Sequence, residues 1–307
     1  MEKYNKLLTQ IENKYQHLEQ DTEAYLKGLL HARPIDYWDY IEVDTLLSLQ
    51  RPRTDFPDEM VFIMYHQVTE LLLNMMLHEM YQVCEHQQLT AEYFINKLGR
   101  MNRYIQMLAN SFDVMRLGMD PEQYNQFRFT LTPASGFQCA LFRKAEICAT
   151  NIENLLDARI KNNLPSDYDF AFLFDNIYWQ AAGKDYKTGK KSLTLQHFEK
   201  KYLKEFIEMA EEYQHKNLWQ KYKSLPESEK NHPELIKAMR DLDIEFNIKW
   251  PMVHLDAARQ YLLSKEKVTE ATGGSDWQKY LHPKYQRRVF FPDLWTKEEL
   301  ENWAAEY

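Results

Sequence analysis

Residues 58–77 of the chain read DEMVFIMYHQVTELLLNMML. The run that leads into this stretch, Asp55 to Glu59, has Pro57 at a first-turn position, which is typical of a helix start. From Phe62 to Leu77 the residues are apolar on nearly every side of a helix, and such a helix is expected to be buried. The stretch therefore predicts a long core helix over about 58–87 and, around it, an all-α fold.

Apolar residues at helical spacing recur on both sides of this stretch, and neither an internal repeat nor an alternating strand pattern is convincing. Only 8 glycines occur in 307 residues, which favours long helices joined by short loops. We expect one helical domain over 1–307, with a divergent arm at 161–233. Further helices are predicted at 4–18, near 44–45, and at 90–116, 121–130, 135–160, 193–223, 234–249, 251–266 and 297–306, the last with a Thr296–Glu299 capping box.

Composition and charge limit the classes of function and location. The net charge of −8 disfavours nucleic acid as a partner, because phosphate binding requires a basic face. Three cysteines without CxxC spacing indicate reduced thiols rather than a disulfide framework. The first 20 residues lack the apolar segment of a secretion signal, and the apolar run at 71–77 is far shorter than the roughly 20 residues that span a bilayer. We expect a soluble, cytoplasmic protein with no membrane partner.

The sequence has none of the common motifs for zinc, nucleotide or serine chemistry, such as HExxH, CxxC, a P-loop, GxGxxG or GxSxG. Haem leaves no spacing code, because one axial histidine is sufficient. The best candidates are His66 and His254, which lie in the apolar stretches FIMYHQV and WPMVHL. From the residues alone, each histidine is either a haem ligand or a hydrogen-bonded core residue.

Tyr124 and Arg128 are four residues apart, so they share one face of a helix. A guanidinium fork beside a phenol hydroxyl is a good receptor for a carboxylate. The alternative is a structural ion pair between Arg128 and one of the many acidic residues.

Taken together, four blocks of the chain resemble the tryptophan 2,3-dioxygenases. Order and spacing agree over roughly 35–150 and 245–290. The blocks FI..HQ..EL and SGFQ are quite specific, whereas the TGG block alone is weak. The blocks are Tyr37 to Gln50, Asp58 to Leu71, Tyr124 to Glu146, and His254 with Thr272-Gly273-Gly274-Ser275 and Tyr280-Leu281.

The resemblance implies long core helices that enclose a haem pocket, and a role for each residue of the site. His254 is implied as the axial ligand of haem b, active as Fe²⁺, and His66 as the catalytic histidine that faces the indole N–H. Tyr124 and Arg128 are implied to hold the carboxylate of L-tryptophan, and Thr272 its ammonium group. Phe62 is implied to line the indole pocket, with Ser135 and Gly136 at the haem edge.

The resemblance also implies an oxidoreductase that inserts O2 across the indole C2–C3 bond and gives N-formyl-L-kynurenine, the first step of the kynurenine route of tryptophan degradation. It implies a homotetramer in which the N-terminal segment 1–57 contacts a neighbouring subunit, with Tyr37, Tyr40 and Ile41 at that subunit's pocket. Departures from the family pattern include Leu72-Leu73-Asn74 after the distal histidine block, Pro57 before Asp58, and Cys139 after SGFQ.

Three other functions remain open at this point. A haem monooxygenase or peroxygenase of the same fold could act on another indole or aromatic amino acid. A haem-binding protein could bind O2 without turnover, and a helical scaffold would hold no cofactor. Tyr124, Arg128 and Thr272 favour a free amino acid, because they offer partners to both of its charges.

Overall fold

The structure is a computed structural model, and it describes residues 1–161, 163–262, 282–285 and 287–305. Thr272 and the Gly273-Gly274 pair, predicted above as part of the site, lie outside the described residues. The chain forms two compact units, Met1–Gln50 and Arg51–Tyr307. Within the described ranges there is no β-strand, only isolated bridges at Leu156–Ile177 and Lys184–Lys191, which confirms the all-α fold class.

The first unit is a helical hairpin followed by two short helices. Asp21 caps the second helix, because its carboxylate accepts the N–H of Glu23 at 3.0 Å. No residue of these four helices is buried within the unit. The helices are α1 (Glu2–His17), α2 (Thr22–His31), α3 (Tyr37–Tyr40) and α4 (Val43–Leu46).

The second unit is built on the predicted long helix, which begins with Pro57 in its first turn and ends at Glu85. Its inward face packs against two other helices and contributes Leu73, Met76 and Met80 to the main core. The first of these two helices runs antiparallel to the long helix, and the second is rich in small residues. Together they close the core on two sides. These helices are α5 (Pro57–Glu85), α6 (Ala91–Ser111) and α9 (Ala140–Ala149).

Shorter helices surround this centre. The remaining α-helices are α7 (Asp113–Arg116), α8 (Pro121–Phe127), α10 (Ala158–Lys161), α11 (Phe170–Asp175), α12 (Leu193–Tyr213), α13 (Leu218–Lys223), α14 (Glu227–Lys230), α15 (Pro233–Ile244), α16 (Trp250–Leu262) and α17 (Lys297–Glu301). The 3-10 segments are Arg128–Leu131, Gly136–Gln138, Ile152–Leu155, Tyr178–Ala182 and Pro292–Leu294, and Glu245–Lys249 is one turn of π-helix. The capping box at Thr296 and Glu299 is confirmed.

Several predicted helices are wrong in length. Over 135–160 the longest helix is α9, followed by a 3-10 segment and the short α10, because Thr150 leaves the helix with extended backbone and its hydroxyl donates to the carbonyl of Phe290 at 2.5 Å. The helix predicted over 297–306 ends at Glu301. The helix predicted over 193–223 is divided into α12 and α13, because the Asn217 side chain caps a new helix by accepting the N–H of Gln220 at 3.0 Å. The short helix near 44–45 also starts earlier, at Val43.

Helix α5 is long and apolar enough to cross a membrane, which the short apolar run at 71–77 did not indicate. Length and composition alone are weak grounds, because the core helix of a soluble protein meets the same test. One face of α5 is buried against α6 and α9, but only 28% of its apolar window is buried in the described part of the chain. The prediction of a helix buried on nearly every side is therefore wrong, because the packing partners cover a single face.

Candidate active site

The two histidines singled out in the sequence lie on different helices and belong to one continuous aromatic cluster. His66 is on α5 and His254 is on α16. The His254 ring lies 4.3 Å from the ring of Phe112, which in turn contacts Tyr65 at 5.9 Å between centroids. Tyr65 meets His66 edge-on at 6.2 Å. The fold therefore brings together two helices that are separated by almost 200 residues of sequence.

Each imidazole uses Nδ1 for a hydrogen bond to the carbonyl one helical turn earlier. His254 Nδ1 lies 2.9 Å from the Trp250 oxygen, and His66 Nδ1 lies 2.7 Å from the Phe62 oxygen. Because a carbonyl can only accept, Nδ1 carries the proton in both rings, and Nε2 is left with a lone pair. Neither Nε2 makes a hydrogen bond with the described residues.

Both imidazoles are neutral at physiological pH. Burial, with smaller contributions from the neighbouring His66 and Arg288, lowers the pKa of His254 to about 4, against the hydrogen bond to the Trp250 carbonyl, which raises it. Burial also lowers the pKa of His66, although that ring keeps a solvent-accessible face. A neutral imidazole with a free Nε2 is the form that ligates iron or accepts a proton.

Aromatic side chains connect His66 to the predicted carboxylate receptor. The Phe62 ring lies 4.1 Å from the His66 ring and 6.1 Å from that of Tyr124 on α8. Phe127, fully buried, contacts both Phe62 at 5.5 Å and Tyr124 at 5.6 Å. Four of the predicted site residues are therefore gathered by contacts in the structure, namely His66, His254, Phe62 and Tyr124.

Arg128 follows α8 directly, and only 2% of its surface is exposed. Its guanidinium lies 4.6 Å from the centre of the Phe129 ring. A buried guanidinium can make strong charge-assisted hydrogen bonds, because its surroundings are of low polarity.

The remaining predicted residues are placed as follows. Ser135 and Gly136 lie at the start of a 3-10 helix, where the Ser135 N–H donates to the Gln138 side chain at 3.0 Å. Among the described residues, no hydrogen bond or ring contact joins this pair to the histidine cluster. Tyr37, Tyr40 and Ile41 lie in the first unit, where their side chains are exposed.

Two contributors to the site were not recognised in the sequence. Phe112 lies between the two histidine helices at the end of α6, but an isolated phenylalanine after a helix carries no functional signal. Asp58 joins α5 to α8, because its carboxylate accepts the N–H of Asp120 at 2.6 Å and its own N–H donates to Gln123 at 3.3 Å. In the sequence, an acidic residue such as Asp58 in the first turn of a helix is expected for electrostatic reasons alone, so it gives no sign of a link to another helix.

No group of three or more His, Cys, Asp or Glu side chains suited to a metal ion occurs in the part of the chain that the structure describes.

Comparison with known proteins identifies the family. A family model described as tryptophan 2,3-dioxygenase matches residues 29–228, which includes most of the arm at 161–233. The tryptophan 2,3-dioxygenase of Ruegeria sp. (strain TM1040) is 28% identical over 288 residues, which cover 86% of this chain and 92% of that protein. The enzyme of the same name from Pseudomonas fluorescens is 25% identical over 92% of this chain and 96% of its own length.

A shorter match, to the tryptophan 2,3-dioxygenase of Bacillus cereus (strain ATCC 10987 / NRS 248), is 35% identical over 111 residues, or 36% of this chain. The match to the Ruegeria enzyme covers 86% of the chain, which is more than the segment that the family model covers. With its helices, its paired imidazoles and these relatives in agreement, the chain belongs to the tryptophan 2,3-dioxygenase family.

Proposed function

We propose that the protein is a haem-dependent dioxygenase that inserts both atoms of O2 across the indole C2–C3 bond of L-tryptophan and gives N-formyl-L-kynurenine, the first step of tryptophan degradation. The family is one of haem-dependent dioxygenases. The observation that carries the proposal is that His66 and His254, each with Nδ1 bonded to a backbone carbonyl, belong to a single aromatic cluster.

The surroundings of His254 suit the role proposed for it as the axial ligand of haem b. The Trp250 carbonyl accepts its Nδ1–H and so fixes the tautomer and the ring orientation, which is the usual arrangement for an imidazole that binds a metal through Nε2. Its depressed pKa keeps the lone pair free of a proton down to about pH 4. When bound, a ferrous haem supplies the O2 binding and the redox chemistry, which no side chain here could supply.

The protein's own part is to bind the amino acid, to orient its indole and to exclude water. We propose that His66 Nε2 accepts the indole N–H, since its Nδ1 is already engaged by the Phe62 carbonyl. Phe62 stacks beside His66 and is suited to contact the indole ring. Two fixed points on the indole restrict its rotation, so that its C2–C3 bond is held in one place.

We propose that Arg128 and Tyr124 bind the substrate carboxylate, and that Thr272 meets the ammonium group. The buried guanidinium supports the first assignment, because low polarity strengthens a charge-assisted hydrogen bond. Ser135 and Gly136 are proposed at the haem edge on the resemblance alone. The same holds for Tyr37, Tyr40 and Ile41 at a neighbouring subunit's pocket.

The experiment is a visible spectrum and a product analysis on the purified protein loaded with haem. We expect a Soret band, a shift on reduction, a further shift with L-tryptophan, and a product heavier by two oxygen atoms. One added oxygen would replace the proposal with a monooxygenase or peroxygenase. Haem and O2 binding without turnover would indicate a haem-binding protein, and a colourless protein that rejects haem would indicate a scaffold.

A variant pair tests the ligand. His254→Ala should abolish haem retention, whereas His232→Ala, which alters an exposed histidine away from α16, should not. A normal Soret band in His254→Ala would mean that the axial assignment is wrong.

We further propose a cytoplasmic homotetramer of single-domain subunits, with no membrane and no nucleic acid as partner. Helix α5 supports an assembly contact, since Met64, Val68, Leu71 and Met75 form an exposed apolar stripe at spacings of four, three and four residues. Light scattering of wild type and Leu71→Lys tests this. A wild-type monomer, or a Leu71→Lys variant of unchanged mass, would contradict the assembly contact.

A further inference from the structure

Helices α15 and α16 form one continuous helical run that carries His254, and the turn between them is irregular. Residues Glu245–Lys249 form a turn of π-helix, which is wider than an α-turn. Pro251 comes just after it and has no N–H, so the regular hydrogen bond of an α-helix cannot form at that residue. A local π-turn is one of the ways in which a helix accommodates such a residue.

Asp243, just before the π-turn, is completely buried and accepts four hydrogen bonds. One is from inside the turn, where Asn247 Nδ2 lies 2.7 Å from Asp243 Oδ1. Three come from the C-terminal segment. They are from Phe290 N at 2.8 Å, Phe291 N at 3.2 Å and Trp295 Nε1 at 3.0 Å.

A second set of contacts holds the same turn by its apolar side. Phe246 stacks on Phe142 of α9 at 4.3 Å and contacts Phe290 at 5.1 Å. Asp243 and Phe246 are thus both attached to the segment around Phe290, so the π-turn is clamped between α9 and the C-terminal segment. Immediately after the turn comes Trp250, whose carbonyl orients the His254 ring.

We propose that Asp243 is a positioning residue for His254: by joining the π-turn to the Phe290–Trp295 segment, it fixes where the Trp250 carbonyl points and hence how His254 faces the haem. The inference rests on the proposed function of His254 as axial ligand. Asp243 itself touches neither cofactor nor substrate in this scheme.

The physical reason is the cost of burying a carboxylate. An ionised carboxylate in a protein interior is tolerated only when its oxygens are hydrogen-bonded, and each hydrogen bond that is lost leaves part of the desolvation cost uncompensated. The four donors around Asp243 therefore form a unit that cannot slide by one residue without losing several bonds at once. Hydrophobic contacts alone tolerate small shifts of a helix. Hydrogen bonds that fix the helix register therefore hold His254, farther along the same helical run, more firmly.

The experiment compares Asp243→Ala and Asp243→Asn with a control on the same helix, Asp241→Ala. Asp241 is two residues away and pairs only with Lys237 at 2.6 Å on the exposed side. The measurements are the iron–histidine stretching band of the ferrous haem protein by resonance Raman spectroscopy, and the rate at which haem is lost to an excess of apomyoglobin. A change confined to stability would move the melting temperature but not this band.

We expect Asp243→Ala to shift or broaden the iron–histidine band and to accelerate haem loss by about tenfold to a hundredfold, the effect usual for residues that orient a metal ligand. Asp243→Asn keeps one acceptor oxygen and should fall between Asp243→Ala and wild type, whereas Asp241→Ala should match wild type. If Asp243→Ala fails to fold, Trp295→Phe removes a single donor and should give a smaller shift in the same direction.

An unchanged band and an unchanged rate of haem loss in the folded Asp243 variants, or in Trp295→Phe, would overturn the inference. A wild-type protein that binds no haem, or whose haem lacks the iron–histidine band, would instead overturn the proposed function.

Discussion

Asp58 links the helix of the proposed distal histidine to the helix of the proposed carboxylate receptor. Its carboxylate accepts the Asp120 N–H at 2.6 Å, and its N–H donates to Gln123 Oε1 at 3.3 Å. One turn after Asp58, Phe62 contacts Tyr124 on the same α8 helix. We therefore predict that Asp58→Ala lets α8, and with it the receptor, move relative to His66.

The size of the effect follows from the bond that is lost. A hydrogen bond to a charged group contributes about 1.5–3 kcal/mol, and partial exposure of Asp58 reduces this to about 1–2 kcal/mol. Since every 1.4 kcal/mol is a factor of ten, the upper limit on weakened binding is about thirtyfold. We expect about threefold to tenfold in KM, because the ring contacts of Phe127 still hold α8 to α5.

The assay is steady-state oxidation of L-tryptophan by the haem-loaded protein, with urea unfolding measured in parallel. Asp58→Ala should raise KM, change kcat little and retain haem. Asp58→Asn should stay near wild type, since its side-chain oxygen still accepts the Asp120 N–H. Asp113→Ala is the matched control, because Asp113 lies nearby on α7 in an exposed pair with Arg116. A less stable Asp58→Ala protein with unchanged KM would refute the link between the two helices.

Three further changes test other parts of the structure. Arg128→Leu should raise the KM for L-tryptophan by about tenfold to a hundredfold while haem stays bound, because a charge-assisted hydrogen bond is lost, and unchanged kinetics would count against the carboxylate receptor. Lys97→Ala should lower the free energy of unfolding by about 1.5–3 kcal/mol in urea titrations, because the buried Glu79 loses the ammonium group 2.6 Å away and keeps only Arg100, at 2.7 Å, as a cationic partner; a loss below about 1 kcal/mol would contradict this. Burial raises the pKa of Asp243 from 3.8 to about 6, so the folded state binds its proton more tightly and the contribution of Asp243 to stability falls as pH rises from about 4 to about 6; Lys161 is the nearby charged group. Asp243→Asn should remove this slope from the plot of unfolding free energy against pH. Parallel plots for wild type and variant would show that the raised pKa is wrong.

Local chemistry in the sequence was sufficient to predict the helical class and several helix ends. Pro57 at a helix start and the Thr296–Glu299 capping box act within one turn of chain, so they can be recognised without knowing the fold. His66 and His254 could also be singled out, because each lies in an apolar helical stretch. Their meeting across Phe112 could not be predicted, since it depends on how three helices pack.

A distant residue decided where α9 ends. Thr150 terminates α9 by bonding to the carbonyl of Phe290, which is 140 residues away in sequence. Asp243 also has distant partners, because Phe290 and Trp295 lie about fifty residues farther along the chain. Helix propensity and hydrophobic periodicity depend only on residues within a few helical turns, so they cannot predict such long-range contacts.

The sequence by itself therefore determined which segments are helical and which histidines lie in apolar stretches. Its four blocks of family-like residues also indicated the family to which the chain belongs. Only the tertiary structure decided that the pKa of each imidazole is lowered, because desolvation depends on everything within several ångströms rather than on chain neighbours. It also decided that a buried carboxylate holds the π-turn before His254, because side chains far apart in sequence become hydrogen-bond partners only when the whole core has formed.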